Sequence, residues 1–202
     1  MPKVYVIDDP APNAFATGRD KNHAVVCATT GLLQILDRTE LEGVMAHELS
    51  HIGNRDMLVS TVVVVLVGFI SIISDMFMRS LWWGRRRDDE EGNAGTILMV
   101  VGIVFAILAP FIGMLIQLAI SRKREYLADA SGALLTRYPE GLANALKKIG
   151  EHAQPLRHQS NAIAHIYLAD PSAGGKVSGV AKLFMTHPPI PDRIRALLGD
   201  KA

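Results

Sequence analysis

The stretch "VMAHELSHIGNRDMLVSTVVVVLVGFISII" covers residues 44–73. It opens with His47, Glu48 and His51, and from Met57 onward it is almost uninterrupted apolar sequence. On a helix, successive residues turn by about 100°, so His51 lies about 40° round from His47 and one turn above it. Both imidazoles can therefore reach one ion. Glu48 sits beside them, angled toward a water on that ion. Nitrogen ligands at about 2.0–2.1 Å suit zinc, and a catalytic zinc takes three protein ligands plus a water. The metal brings the water toward a neutral pKa, and Glu48 is placed to take its proton. The competing reading of the same residues is a solvated helix with two surface histidines.

The apolar sequence that follows forms two runs. Residues 57–78 hold one acid, Asp75, and residues 96–120 hold no charge and only Gln117 as a strongly polar side chain. A helix needs roughly 20 apolar residues to cross a hydrocarbon core of ~30 Å, and both runs meet that length. Trp82 and Trp83 follow the first run, where an interfacial anchor would sit. A buried pair of core helices in a soluble domain is the alternative, and two uncharged runs in 202 residues weigh against it. The flanking cations decide no orientation. Arg55, Arg122, Lys123 and Arg124 on one side balance Arg79, Arg85, Arg86 and Arg87 on the other.

The rest of the chain is ordinary in composition. It is 49% hydrophobic, with mean hydropathy +0.21, enough for one domain with a real core. A net charge of +1 gives no argument for a nucleic-acid partner. One cysteine, Cys27, forms no internal disulfide and suits a reducing compartment. Met1-Pro2-Lys3 leads straight into strand-like sequence, without a signal-peptide pattern. "KVYVIDD" alternates as a strand does, "PAPNAFATGRDKN" sets turn residues around a short extended piece, and "HAVVCATTGLL" reads as a strand running into a helix. Together they predict a small antiparallel sheet. "DRTELEGVMAHELSHIGN" reads as a helix with Thr39 and Glu42 at capping-box spacing and Gly53 as its terminator. A polar loop over residues 79–95 joins the two apolar helices, and the second continues through "SRKREYLADASGALLTRY". "PEGLANALKKIGEHA" and "PDRIRALLG" read as further helices, with "DPSAGGKVSG" a loop between them.

A third metal ligand has to come from outside the His-Glu-x-x-His helix, and Glu125 in "SRKREYLADASG" is the candidate. Asp129 lies one turn on, on the same face. A carboxylate there can accept a hydrogen bond from the far nitrogen of a ligand histidine and fix its tautomer. Glu125 also reads as one more charge in a basic stretch. His23, His152, His158 and His165 have no partner at metal spacing and read as surface or cap residues. His187, in "MTHPPIPDRI", is stiffened by two prolines and followed by Arg193, and by itself reads as a turn before a helix.

"NAFATG", "TTGLL", "AHELSHIGNRDM", "SRKREYLADASG" and "LFMTHPPIPDRI" occur in this order along most of the chain. With them the sequence resembles the HtpX-type membrane-bound heat-shock zinc metalloproteases, in the family that also holds the CAAX prenyl proteases. The resemblance implies a fold that is mainly α with a small antiparallel β-sheet. That fold is a single gluzincin-like zinc metalloprotease domain over residues 1–202, interrupted by a two-helix transmembrane hairpin at 57–120. It implies an endopeptidase with one Zn2+ per subunit, held by His47, His51 and Glu125, with Glu48 as general base. Asp129 would orient a ligand, His187 would stabilise the oxyanion with Arg193 in support, and Asn13 would lie near the cleft edge. It further implies polypeptide substrates, membrane proteins among them, and a role in membrane-protein quality control and stress response. The protein would be an integral, multi-pass member of a bacterial-type inner (plasma) membrane, with its catalytic side cytoplasmic. The sequence departs from the pattern in opening on a strand that two further apolar spans usually precede.

If the two runs form an antiparallel hairpin, their outer ends lie side by side, which brings Glu125 back to His47 and His51. Prenyl-protein processing and a non-catalytic zinc-binding membrane protein are the rival readings. A transport site would place its ionisable ligands inside the spans, whereas here they flank them.

Overall fold

The structure is a computed structural model describing residues 1–18, 20–84, 93–152, 185 and 187–199, with the backbone alone at 81–84, 93–96 and 98. His158, His165 and the loop "DPSAGGKVSG" lie outside the described residues, as do the side chains of Trp82 and Trp83. Three strands come first, β1 (Lys3–Ile7), β2 (Ala14–Gly18) and β3 (Ala24–Thr29). Six helices follow: α1 (Thr30–Ile35), α2 (Arg38–Gly53), α3 (Asp56–Gly84), α4 (Asn93–Thr136), α5 (Pro139–Glu151) and α6 (Ile190–Leu198). The chain divides into two compact units, Met1–Val59 with Ile120–Ala202, and Ser60–Ala119.

In the first unit the sheet is mixed, which corrects the expectation of an antiparallel one. Its order is β1-β3-β2; β2 pairs antiparallel to β3, while β1 runs parallel to it with Lys3 opposite Val25. The β2–β3 hairpin occupies one edge of β3, and Gly18 at its turn has φ +142°, a value side-chain-bearing residues rarely adopt. β1 must take the other edge. Its exit is tied to the end of β3, where Gly31 N–H donates to the Asp9 carbonyl at 2.9 Å and the Thr30 hydroxyl donates to the same oxygen at 3.0 Å. With both strands ending at one place, they run the same way. Alternation identifies strands but carries no direction.

The capping box of α2 also differs from the expected one. Asp37 is the N-cap, its carboxylate accepting from Glu40 N–H at 2.9 Å while the Glu40 carboxylate accepts from Asp37 N–H at 2.8 Å. The sequence offers Asp37–Glu40 and Thr39–Glu42 at the same spacing. Glu40 prevails because it is buried and also receives Lys148 Nζ of α5 at 2.7 Å. Gly53 is the last residue of α2 rather than a left-handed terminator. That conformation falls on Arg55, with φ 56°, so α3 begins at the next residue.

The core of this unit packs α1, α2, α5 and α6 around Leu32, Val44, Leu142, Leu146 and Ile149. Leu142, Ala145, Leu146 and Ile149 recur at helical spacing on one face of α5. Fully burying one such leucine is worth roughly 1.5–3 kcal/mol. Two close approaches fix where α2 sits. A Cβ on Gly43 would lie 2.7 Å from the Leu142 backbone of α5, and one on Gly132 of α4 would lie 3.0 Å from the His47 backbone. Glycine at 132 thus lets the helix that carries Glu125 lie against the helix that carries both histidines.

The second unit holds the apolar lengths of α3 and α4. A Cβ on Gly102 would meet the Phe77 ring at 2.4 Å, and one on Gly113 would meet Val67 at 3.2 Å. Residue 77 facing 102 and 67 facing 113 means the two helices run antiparallel. Asp56–Ser80 and Met99–Thr136 are long and apolar enough to cross a membrane. Only 6% of the most apolar window of each is buried, unlike core helices of a soluble domain. The expected polar loop at 79–95 is shorter, since α3 runs to Gly84 and α4 starts at Asn93.

Candidate metal centre

α2 presents His47 and His51 as its periodicity predicts, with Nε2 atoms 3.1 Å apart and rings edge to face at 84°. α4 delivers Glu125 to the same point. Its Oε1 lies 3.5 Å from His51 Nε2 and its Oε2 lies 3.8 Å from His47 Nε2. The ligand atoms of these residues all fall within 4.8 Å of one another, a group able to hold a metal ion. Ligands about 2.0–2.2 Å from one ion in a tetrahedral arrangement lie roughly 3.3–3.6 Å apart, and the three separations bracket that range. Glu125 Oε2 is buried and makes no hydrogen bond, although His187 Nδ1 comes within 3.1 Å of it. A buried carboxylate oxygen without a donor is costly. An ion beside it removes that cost, so the residues present fit a metal.

Glu48, on α2 beside His47, is 4% exposed. Burial pushes its carboxyl above the ordinary range, against the pull of His47 and His51. A buried carboxyl next to a candidate metal group is placed for proton transfer to and from a water there.

Each histidine has a carboxylate on its far nitrogen, and each carboxylate has an arginine. His47 Nδ1 lies 2.9 Å from Asp129 Oδ1, a hydrogen-bond length without hydrogen-bond angles. Arg193 then grips Asp129 with two parallel bonds, Nε to Oδ2 at 2.8 Å and Nη2 to Oδ1 at 2.6 Å. The guanidinium is fully buried, and the carboxylates of Asp129, Glu125 and Glu48 hold it charged against that burial. On the second histidine, Nδ1 hydrogen-bonds Asp56 Oδ2 at 2.6 Å, and Arg124 binds Asp56 from its other side. Burial works to lower the His51 pKa, but the Asp56 bond and the Glu125 and Glu48 charges outweigh it and leave it raised. A proton therefore competes with an ion for this imidazole.

The structure thus brings His47, Glu48, His51, Glu125, Asp129, His187 and Arg193 together. His187 and Arg193 both approach Glu125 Oε2, at 3.1 and 3.6 Å. The segment before His187 is held by Arg122, whose Nη1 donates to the Met185 carbonyl at 3.0 Å. Asn13 is buried at the foot of β2, its backbone N–H donating to Thr29 Oγ1 at 2.9 Å. Of the remaining histidines, His23 pairs with Asp20, and His152 caps α5 through the Lys148 carbonyl. Sequence reasoning did not find Asp56 and Arg124. Asp56 falls past the end of α2, outside helical spacing, and reads as a helix-start residue. Its one signal is an acid directly before an apolar run, with Arg124 directly before Glu125.

Residues 1–201 match the description of peptidase family M48. The chain is 53% identical over 199 residues to a "Protease HtpX homolog" of Caldanaerobacter subterraneus subsp. tengcongensis, covering 97% of this chain and 65% of that one. It is 55% identical over 197 residues to a protein of the same name from Tropheryma whipplei strain Twist, covering 98% and 66%. The chain therefore spans just under two thirds of the length of these curated relatives. Among solved structures, S. mikatae Ste24p shares the fold, with TM-score 0.64 at 20% identity over 98% of this chain and 45% of that one. With residues 1–201 matched almost end to end, the chain belongs to peptidase family M48.

Proposed function

We propose that the chain is a zinc-dependent endopeptidase, a single metalloprotease domain over 1–202 with a membrane hairpin at 57–120. The observation that carries this is the convergence of His47, His51 and Glu125 on one point, with Glu48 buried beside them. Two imidazoles and one carboxylate are the donor set of a catalytic zinc site rather than a closed structural one. The ion, when bound, supplies Lewis acidity at a substrate carbonyl and makes an adjacent water easier to deprotonate. The residues do the rest. Glu48 takes the water's proton and passes it to the leaving amine. The Asp129 charge, 2.9 Å from His47 Nδ1, favours the tautomer that frees Nε2, with Arg193 fixing Asp129 in turn. His187 donates to the developing oxyanion. β2, which Asn13 directly precedes, is an edge strand of the sheet among the described strands. An extended substrate pairs with it by its backbone, so that shape counts for more than sequence.

The assay is cleavage of an unfolded protein by the purified, detergent-solubilised enzyme. A chelator should abolish it and added zinc restore it; cleavage that survives the chelator overturns the reading. His187→Ala should lower turnover by about 10²–10³ with metal content unchanged. Loss of metal in that variant would make His187 a ligand or a structural residue.

We further propose that the substrates are unfolded or misfolded membrane proteins, cut on the cytoplasmic side of a bilayer in quality control. Asp56, in contact with His51, is the residue directly before the apolar run. At ~1.5 Å per helical residue, so short a connection supports a catalytic centre close to the hydrocarbon edge. An extended segment leaving the bilayer can enter there more easily than a folded globule. In a reconstituted substrate carrying identical unfolded loops at increasing distances from its span, cutting should fall off with distance. Equal cutting at every distance would sink this substrate assignment.

A further inference from the structure

We propose that Asp56 is the positioning residue of the second histidine ligand and that Arg124 holds it in place. The ends of the two apolar helices thereby complete the metal site. The inference rests on the reading of His47, His51 and Glu125 as metal ligands. Four observations converge on it. Asp56 Oδ2 lies 2.6 Å from His51 Nδ1 with the angles of a hydrogen bond, which the matching His47–Asp129 contact lacks. Asp56 is only 6% exposed, so its charge needs partners, and His51 and Arg124 are both there. Arg124 also donates through Nη2 to the Asn54 carbonyl at 2.6 Å, pinning the turn between α2 and α3. The Asn54 side chain in turn donates to Ser131 Oγ of α4 at 3.3 Å.

The chemistry follows from the tautomer. With its Nδ1–H committed to Asp56, His51 must present the Nε2 lone pair, the atom that faces His47 and Glu125. A negative charge behind the imidazole also makes that lone pair a better donor. Asp56 is the first residue of α3, and Arg124 is the neighbour of the ligand Glu125 on α4. One ion pair thus fixes the start of α3, the orientation of His51 and the stretch of α4 that carries the third ligand. The arrangement repeats the His47–Asp129–Arg193 chain on the other ligand, so each histidine is backed by a carboxylate and each carboxylate by an arginine.

The test measures zinc affinity by competition with a chromophoric chelator, and the visible spectrum of the cobalt-loaded protein, on the full chain in detergent. Asp56→Asn keeps the side-chain shape but removes the charge; it should weaken zinc by about 10–100-fold and shift the cobalt bands. Arg124→Gln should weaken zinc less, and adding it to Asp56→Asn should cost little more, because both act on one network. Glu40→Gln breaks the buried pair with Lys148 away from the site and serves as the structural control. Parent affinity and an unshifted cobalt spectrum in folded Asp56→Asn would overturn the inference alone. An equal loss of affinity in Glu40→Gln would overturn it too, by making the effect one of general stability. A parent protein that binds neither metal would overturn the metal reading itself.

Discussion

Glu48→Gln is expected to retain its zinc and to lose about 10²–10⁴ in turnover. The substitution keeps size and shape, so the 4% exposed site it fills stays packed. What it cannot do is carry a proton from water to the leaving group. His47, His51 and Glu125 stay in place, since none depends on Glu48 for its position: His47 is backed by Asp129, His51 by Asp56, and Glu125 is on another helix. Metal content by emission spectroscopy and cleavage of an unfolded substrate, measured on one preparation, check both halves. Normal turnover removes Glu48 from the role of base. Loss of zinc together with activity makes it part of the metal's support.

Much of this site was legible because it is built from helices, whose 3.6-residue period ties sequence spacing to a direction in space. His47 and His51 fall on one face for that reason, and so do Glu125 and Asp129 on theirs. The long, nearly uncharged runs announced α3 and α4 for a different reason: both are long and apolar enough to cross a membrane. The errors fell where geometry is set by contacts between elements. Asp37–Glu40 and Thr39–Glu42 are equivalent in sequence, and only the partner Lys148 on α5 chooses between them. The direction of β1 depends on the bonds of Asp9 to Thr30 and Gly31, which no alternation pattern contains. Asp56 escaped because the chain leaves the helix between His51 and it, through a left-handed Arg55. A spacing of five residues has no fixed meaning across such a turn. Its arginine comes from 68 positions further along, a pairing that only the fold creates.

Glu125→Ala should abolish zinc binding at concentrations where Asp129→Ala only weakens it, and the difference between them separates a ligand from its support. Glu125 supplies one of three protein bonds to the ion. Alanine leaves two imidazoles 3.1 Å apart, and two ligands make a poor zinc site. The loss also leaves His187 and Arg193 facing a gap where both had approached Glu125 Oε2. Asp129→Ala leaves all three ligands. It removes the acceptor behind His47 Nδ1, so the imidazole can adopt either tautomer and swing, which typically costs 10–100-fold in affinity. It also strands Arg193, a fully buried guanidinium that loses both of its bonds to Asp129. Breaking such a buried pair from one side typically costs about 3–5 kcal/mol of stability. The two variants therefore fail in different observables. Glu125→Ala should lose metal with a smaller fall in the unfolding temperature of the metal-free protein, and Asp129→Ala should show the larger fall in that temperature with metal affinity only reduced. Chelator competition and thermal unfolding of the metal-free proteins read the two effects separately. Zinc affinity in Glu125→Ala equal to the parent's would take Glu125 out of the site. Unchanged metal-free stability in Asp129→Ala would mean that Arg193 finds its counter-charge elsewhere, with Glu125 the nearest remaining carboxylate.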